Sequence, residues 1–190
     1  MPETQLRERA RPVPDPRSRE FELRAPRVSD GAAIRRLVEA SKPLDVNSTY
    51  AYLLLCRDFA ETCVHASIGG RAVGFLSAYR PPRSPDVVFV WQVAVAGECR
   101  GAGLGGSMLR ELLAREALAG CRYLETTVSP SNEPSRRMFL SLARELEAPV
   151  EERTLFGSRE FGGTEHEEEV LIRIGPIEAP ITRGERSNES

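Results

Sequence analysis

The chain has 190 residues, 41% of them hydrophobic and 28% charged, with a formal net charge of −2. That length suits one domain with tails and a substantial buried core. A near-neutral balance offers no basic field to grip a polyanion, so nucleic acid is not expected as a partner.

Residues 1–20, beginning "MPETQLRERARPVPDPRSRE", are rich in Pro and Arg and nearly devoid of bulky apolar residues. They read as a disordered tail, as does 178–190, because neither buries enough surface to offset chain entropy. The domain is placed at 21–177. "FELRAP" predicts a short strand, and "SDGAAIRRLVEAS" predicts a helix capped by Ser29 or Asp30, with Ile34, Leu37 and Val38 at helical spacing. A second helix is expected from Asn47 or Ser48 through "YAYLLLCRDF". "VHASI", the pair Gly69-Gly70 and "AVGFLSAY" predict a hairpin, since two glycines take the positive φ of a tight turn. "VVFVWQVAVA" (87–96) is an apolar run expected of a central strand covered on both faces. The helix "GLGGSMLRELLAREAL", the strand "YLETTV", the helix "NEPSRRMFLSLARELE" and the strand "EVLIRI" follow, with another strand at "PVEERTL". The inferred class is α/β, a mixed and mostly antiparallel central sheet with helices on both faces.

Four cysteines, Cys56, Cys63, Cys99 and Cys121, lack the close pairing of a zinc site and read as free thiols of a reducing cytosol. No segment resembles a signal peptide or reaches the roughly 18 apolar residues of a membrane span, so a cytoplasmic protein without a membrane partner is expected.

The stretch "VAVAGECRGAGLGG" (93–106) carries the chemistry. Gly101, Gly103 and Gly106 match G-x-G-x-x-G, and Glu125 lies 19 residues beyond Gly106, where a dinucleotide fold places its ribose-binding acid. Against that reading, "AGEC" and Arg100 separate the strand from the first glycine, a hairpin feeds the strand, and one βαβ unit remains downstream. The other register is Arg-x-x-Gly-x-Gly, from Arg100, Gly103 and Gly105. In it, backbone N–H groups converge on a pyrophosphate at the helix that begins near Leu104.

In that register the stretch, with its flanking strand and helix, resembles the acetyl-CoA loop of the GCN5-related N-acetyltransferase (GNAT) superfamily, and the order of elements agrees from about residue 21 to 175. The resemblance implies an acetyl-CoA cosubstrate without a metal. It also implies two central strands, 87–96 and 123–128, that splay apart to receive pantetheine on Val93 and Val95, with a backbone N–H near Ala94 polarising the thioester carbonyl. Arg100, Gly101, Ala102, Gly103, Leu104, Gly105 and Gly106 would hold the phosphates. Asn132 and Ser135 match positions near the pantetheine arm, and Asn132 also reads as a plain helix cap. The family tyrosine that protonates the departing thiolate is replaced by Phe139. The thiolate then leaves without a donor, or Tyr50 reaches it.

"SKPLDVNSTYAYLLLCRDFAETC", "YRPPRSPDVVFVWQVAV", "RYLETTVSPSN" and "HEEEVLIRIGP" resemble, more narrowly, the diaminobutyrate acetyltransferase branch of ectoine biosynthesis. That likeness implies acetylation of the γ-amine of L-2,4-diaminobutyrate by a homodimer; the alternatives are another small diamine or amino acid, or a CoA-binding sensor without turnover. A substrate with two ammonium groups needs acidic partners, and one amine must lose a proton. Asp45 is placed on the α-ammonium or serves as a helix cap. Trp91 lies beside the acetyl position or packs in the core. Tyr50 and Tyr52 divide between site and core. Glu167 and Glu169 share a face by the two-residue period, and one binds the ammonium or takes its proton through a water. His65 and His166 are given no catalytic role.

Overall fold

A computed structural model describes residues 21–42, 44–162 and 166–178; the expected tails, 1–20 and 178–190, lie outside the described residues except for Glu178. Among the described residues, seven strands form one sheet in the order β1-β2-β3-β4-β5-β7-β6. They are β1 (Glu22–Arg24), β2 (Val64–Ile68), β3 (Arg71–Tyr79), β4 (Val87–Val95), β5 (Tyr123–Val128), β6 (Val150–Phe156) and β7 (Glu169–Ile174). Only β4 and β5 run parallel; the other neighbours are antiparallel, and β2 and β3 form the expected hairpin.

Four helices cover the sheet: α1 (Gly31–Glu39), α2 (Thr49–Asp58), α3 (Leu104–Leu113) and α4 (Glu133–Glu145). Successive residues of β3 show how they divide, because neighbours on a strand point to opposite faces. Phe75 meets the Tyr52 ring of α2 edge-on, at 6.2 Å between centroids. Gly74, one residue earlier, lies under Leu104 and Met108 of α3. Hence α2 and α3 lie on opposite faces, and α4 packs beside α3. Ile34, Leu37 and Val38 of α1 are buried as their spacing predicts, each contributing about 1.5–3 kcal/mol of burial.

Two expectations about helix ends are corrected. The helix after Gly103 stops at Leu113 and is followed by a separate 3-10 turn at Glu116–Leu118. Asp30 precedes α1 without capping it through its side chain. Its carboxylate instead takes two bonds from the Arg24 guanidinium, at 2.7 and 3.0 Å, and one from the Arg27 N–H at 2.7 Å.

These donors hold the Asp30 carboxyl down at about 2, chiefly through the Arg24 bond. A depressed carboxyl stabilises the fold fully above its ordinary value of 3.8, and that stabilisation is lost as pH falls toward about 2. Asp30→Asn should cost about 1–2 kcal/mol at pH 7, after discounting for solvent at a partly exposed pair. Urea midpoints for both proteins should converge as pH falls through that window, and a constant gap would refute the linkage.

Candidate active site

The two central strands separate where expected. Paired register between β4 and β5 runs from Val87↔Tyr123 to Val90↔Thr126. At that last rung the Thr126 hydroxyl donates to the Val90 carbonyl at 2.9 Å. Beyond it, β4 continues beside β3, and β5 beside β7. The register between β3 and β4 slips between Ser77 and Ala78, which pair with Gln92 and Val90, so Trp91 is the extra residue of a bulge. A bulge explains why Trp91, in an otherwise apolar central strand, is 45% exposed.

One backbone role changes. Ala96 N–H donates to Val73 of β3, and backbone groups alternate in direction along a strand. The amide of Ala94 therefore faces β3, and those of Val93 and Val95 face the gap. A thioester donor expected near Ala94 is thus moved to its neighbours.

A cavity of about 550 Å³ opens beside this gap, lined by Val93 and Val95 below and by α3 and α4 around it. Gly101 and Gly103 bend the loop before α3 with φ of +76° and +77°, a conformation that L side chains rarely adopt. Their bend brings the first turn of α3 to the cavity, where the N–H groups of Leu104, Gly105 and Gly106 have no intrahelical acceptor. Ala102 is absent from the lining, and its N–H turns back to Cys99 at 3.4 Å. Asn132 caps α4, its side chain accepting the Ser135 N–H at 3.3 Å, and both residues line the cavity.

Four cations, Lys42, Arg100, Arg110 and Arg137, also line it. Arg100 points its guanidinium at the carbonyls of Lys42 (3.3 Å) and Val95 (3.5 Å), long bonds that an anion can displace. Cations, open N–H groups and an apolar strand floor fit the pyrophosphate and pantetheine of acetyl-CoA.

The side chains expected to meet the acceptor lie near the end of the same gap. Gln92, next to Trp91, donates to the Asp45 carbonyl at 2.8 Å and so brings that loop to β4. The Asp45 carboxylate is 91% exposed and lies 3.9 Å from His166 Nε2. His166 stacks on Phe161 at 3.9 Å. Glu167 accepts the Ser131 N–H at 3.0 Å, and Glu169 accepts from the Ser129 hydroxyl at 3.4 Å, so both reach the loop that follows β5. Hydrogen bonds from the Ser131 backbone and hydroxyl hold the Glu167 carboxyl below its ordinary value. Tyr50 is 68% exposed at the start of α2, and Tyr52 is fully buried, which separates the two tyrosines as expected. Tyr50 is not among the residues lining the cavity. Phe139 is buried in the core, so the corresponding position on α4 supplies no proton donor.

Glu125 pairs with Arg173 of β7 in the sheet, which leaves the dinucleotide reading without its acid. All four cysteines are free; burial pushes the Cys56 thiol up to about 11 and the Cys63 thiol up to about 12. Neither forms a nucleophilic thiolate near neutral pH. No cluster of three or more metal-ligating side chains occurs among the described residues. His65 is buried, its Nδ1 has no hydrogen-bond partner among the described residues, and burial lowers its pKa.

Sequence reasoning missed His166, although it opens the segment "HEEEVLIRIGP" that carries Glu167 and Glu169. It also missed Lys42, Arg110 and Arg137, which lie outside the glycine motif and join it only in space. No helix among the described residues is long and apolar enough to cross a membrane.

Comparison with known proteins agrees with this geometry. The sequence model of the acetyltransferase (GNAT) family matches residues 32–143. An L-2,4-diaminobutyric acid acetyltransferase of Bordetella parapertussis is 53% identical over 161 residues, covering 84% of this chain and 87% of the relative. Its counterpart in Nocardia farcinica is 49% identical over 159 residues, covering 84% and 82%. The solved diaminobutyrate acetyltransferase of Paenibacillus lautus, in complex with its substrate L-2,4-diaminobutyric acid and coenzyme A, is 44% identical with a TM-score of 0.82, covering 84% of this chain and 97% of that one. With a catalytic gap between β4 and β5, a glycine loop at α3 and these relatives, the chain belongs to the acetyltransferase (GNAT) family, in the branch of the diaminobutyrate acetyltransferases.

Proposed function

We propose that this protein transfers the acetyl group of acetyl-CoA to the γ-amine of L-2,4-diaminobutyrate, giving N4-acetyl-L-2,4-diaminobutyrate for ectoine synthesis. The observation that carries the reading is the shared gap beyond the Val90–Thr126 rung. A cationic cavity suited to coenzyme A opens beside it; the Asp45 loop is tied to β4 at Gln92 and approaches His166, and Glu167 and Glu169, at the start of β7, bond to the loop after β5.

Bound acetyl-CoA supplies an activated acetyl on a thiolate leaving group. Val93 and Val95 offer backbone groups to the pantetheine arm and polarise the carbonyl. Arg100 and the first turn of α3 hold the phosphates. Asp45 takes the α-ammonium, and Trp91 walls the acetyl position from its bulge. Glu167, kept ionised by Ser131, adds negative charge for the diamine. Glu169 receives the γ-ammonium proton through a water, which frees the nitrogen lone pair for attack. The N–C bond forms as the C–S bond breaks, the sulfur leaves as a thiolate or takes a proton from Tyr50, and the acetylated nitrogen releases its second proton to water, which leaves a neutral amide. The protein is further proposed to work as a cytoplasmic homodimer, for which sedimentation of the full chain is the direct reading.

Incubating the protein with acetyl-CoA and a panel of diamines and amino acids tests the activity. Thiol release with diaminobutyrate, and one acetyl on its γ nitrogen by mass and NMR, is the expected outcome. Faster release with another amine would reassign the substrate. Coenzyme A binding without thiol release across the panel would make the protein a sensor.

A further inference from the structure

Gln92 is an unusual residue for its place. It interrupts the apolar run "FVWQVAV", is 6% exposed, and would be costly to bury without partners for both ends of its amide. Both ends have partners, and both bonds lead to one loop. The amide nitrogen donates to the carbonyl of Asp45 at 2.8 Å. The amide oxygen accepts the Tyr52 hydroxyl at 3.4 Å. That hydroxyl in turn accepts the N–H of Asn47 at 3.2 Å. Two backbone points of the segment from Asp45 to Asn47 are therefore held from below by one buried pair.

The Trp91 bulge makes this possible. Below it, Val90 turns its carbonyl toward β5 to meet Thr126. Above it, Gln92 pairs with Ser77 and carries its side chain to the α2 face, where Tyr52 lies. One irregularity thus turns Trp91 outward and sets Gln92 beneath the acceptor loop. The Asp45 carboxylate is exposed and has only the distant His166 contact among those described, so the backbone anchor decides where its charge stands.

We infer that Gln92, acting with Tyr52, is a positioning residue that fixes the loop from Asp45 to Asn47 and thereby sets affinity for the amine acceptor rather than for coenzyme A. The inference rests on the assignment of Asp45 to the acceptor.

Four full-length variants test it: Gln92→Leu, Tyr52→Phe, the double substitution, and Ser77→Ala as a control. Ser77 lies opposite Gln92 in the register, and its buried hydroxyl has no partner among the described residues, so its loss disturbs the same layer without releasing the loop. Gln92→Leu and Tyr52→Phe should each raise KM for diaminobutyrate about tenfold and leave KM for acetyl-CoA within about twofold, the loss expected when the one hydrogen bond that each makes to the loop is removed. The double variant should be little worse than the stronger single, as for two members of one network. Hydrogen exchange of the Asn47 amide should quicken about tenfold in both single variants and stay unchanged in Ser77→Ala. Equal rises in both KM values, or exchange quickened across the whole sheet, would reduce Gln92 to a core residue. If the wild-type protein does not acetylate diaminobutyrate, the proposed function fails, while Asn47 exchange still decides whether Gln92 and Tyr52 hold the loop.

Discussion

Valine at both Gly101 and Gly103 should remove coenzyme A binding while leaving the sheet folded. Neither glycine is crowded: a Cβ at either position meets no atom within 4 Å. The obstacle is conformational, because both residues sit at positive φ. A side chain there costs about 1–2 kcal/mol per residue, and a β-branched one at least as much. The loop escapes that cost only by swinging the first-turn N–H groups of α3 away from the phosphates. Two such losses total about 2–4 kcal/mol, or roughly 30- to 1,000-fold in affinity. Calorimetric titration with coenzyme A measures this directly. Gly97→Ala is the control, since Gly97 is neither at positive φ nor crowded. Unchanged affinity in the double variant would mean that the glycines serve the turn alone.

What could be read from the sequence divides by the range of the interactions that fix it. The Gly69-Gly70 hairpin, the Ser48 cap of α2 and the Asn132 start of α4 were legible because each is settled within a few residues. The glycine turn before α3 was legible for the same reason. The bulge at Trp91 was not, because it depends on how β3 pairs with β4 rather than on either strand alone. That slip also explains why the amide directed at the gap belongs to Val93 or Val95 and not to Ala94. His166 was hidden for a related reason: its approach to Asp45 spans 121 positions of the chain. The four cations of the cavity come from the loop before α2, the α3 region and α4, so no local pattern unites them. Asp30 resembled a cap in sequence, but a nearby guanidinium offered its carboxylate two strong donors and took it away from α1.

The acceptor carboxylates should separate binding from chemistry. Asp45→Asn keeps the shape and the backbone carbonyl that Gln92 holds, but removes the charge proposed to meet the α-ammonium. Its expected result is a rise of about 10- to 100-fold in KM for diaminobutyrate, the range of a lost charge-assisted hydrogen bond, with KM for acetyl-CoA unchanged. Glu169→Gln removes the proposed proton acceptor, so kcat should fall about 100-fold or more, with a smaller change in KM. The two variants together should combine the defects nearly additively if one group binds and the other moves a proton. Equal effects of both substitutions on KM alone would make Glu169 a second ammonium ligand and leave the γ-amine proton to water. A change in acetyl-CoA KM as large as that for the acceptor would instead remove Asp45 from the amine site. Glu167 provides the internal comparison, since its carboxylate is already engaged by Ser131. Glu167→Gln should therefore alter acceptor affinity without abolishing turnover, because a carboxylate held below its ordinary value is a poor proton acceptor.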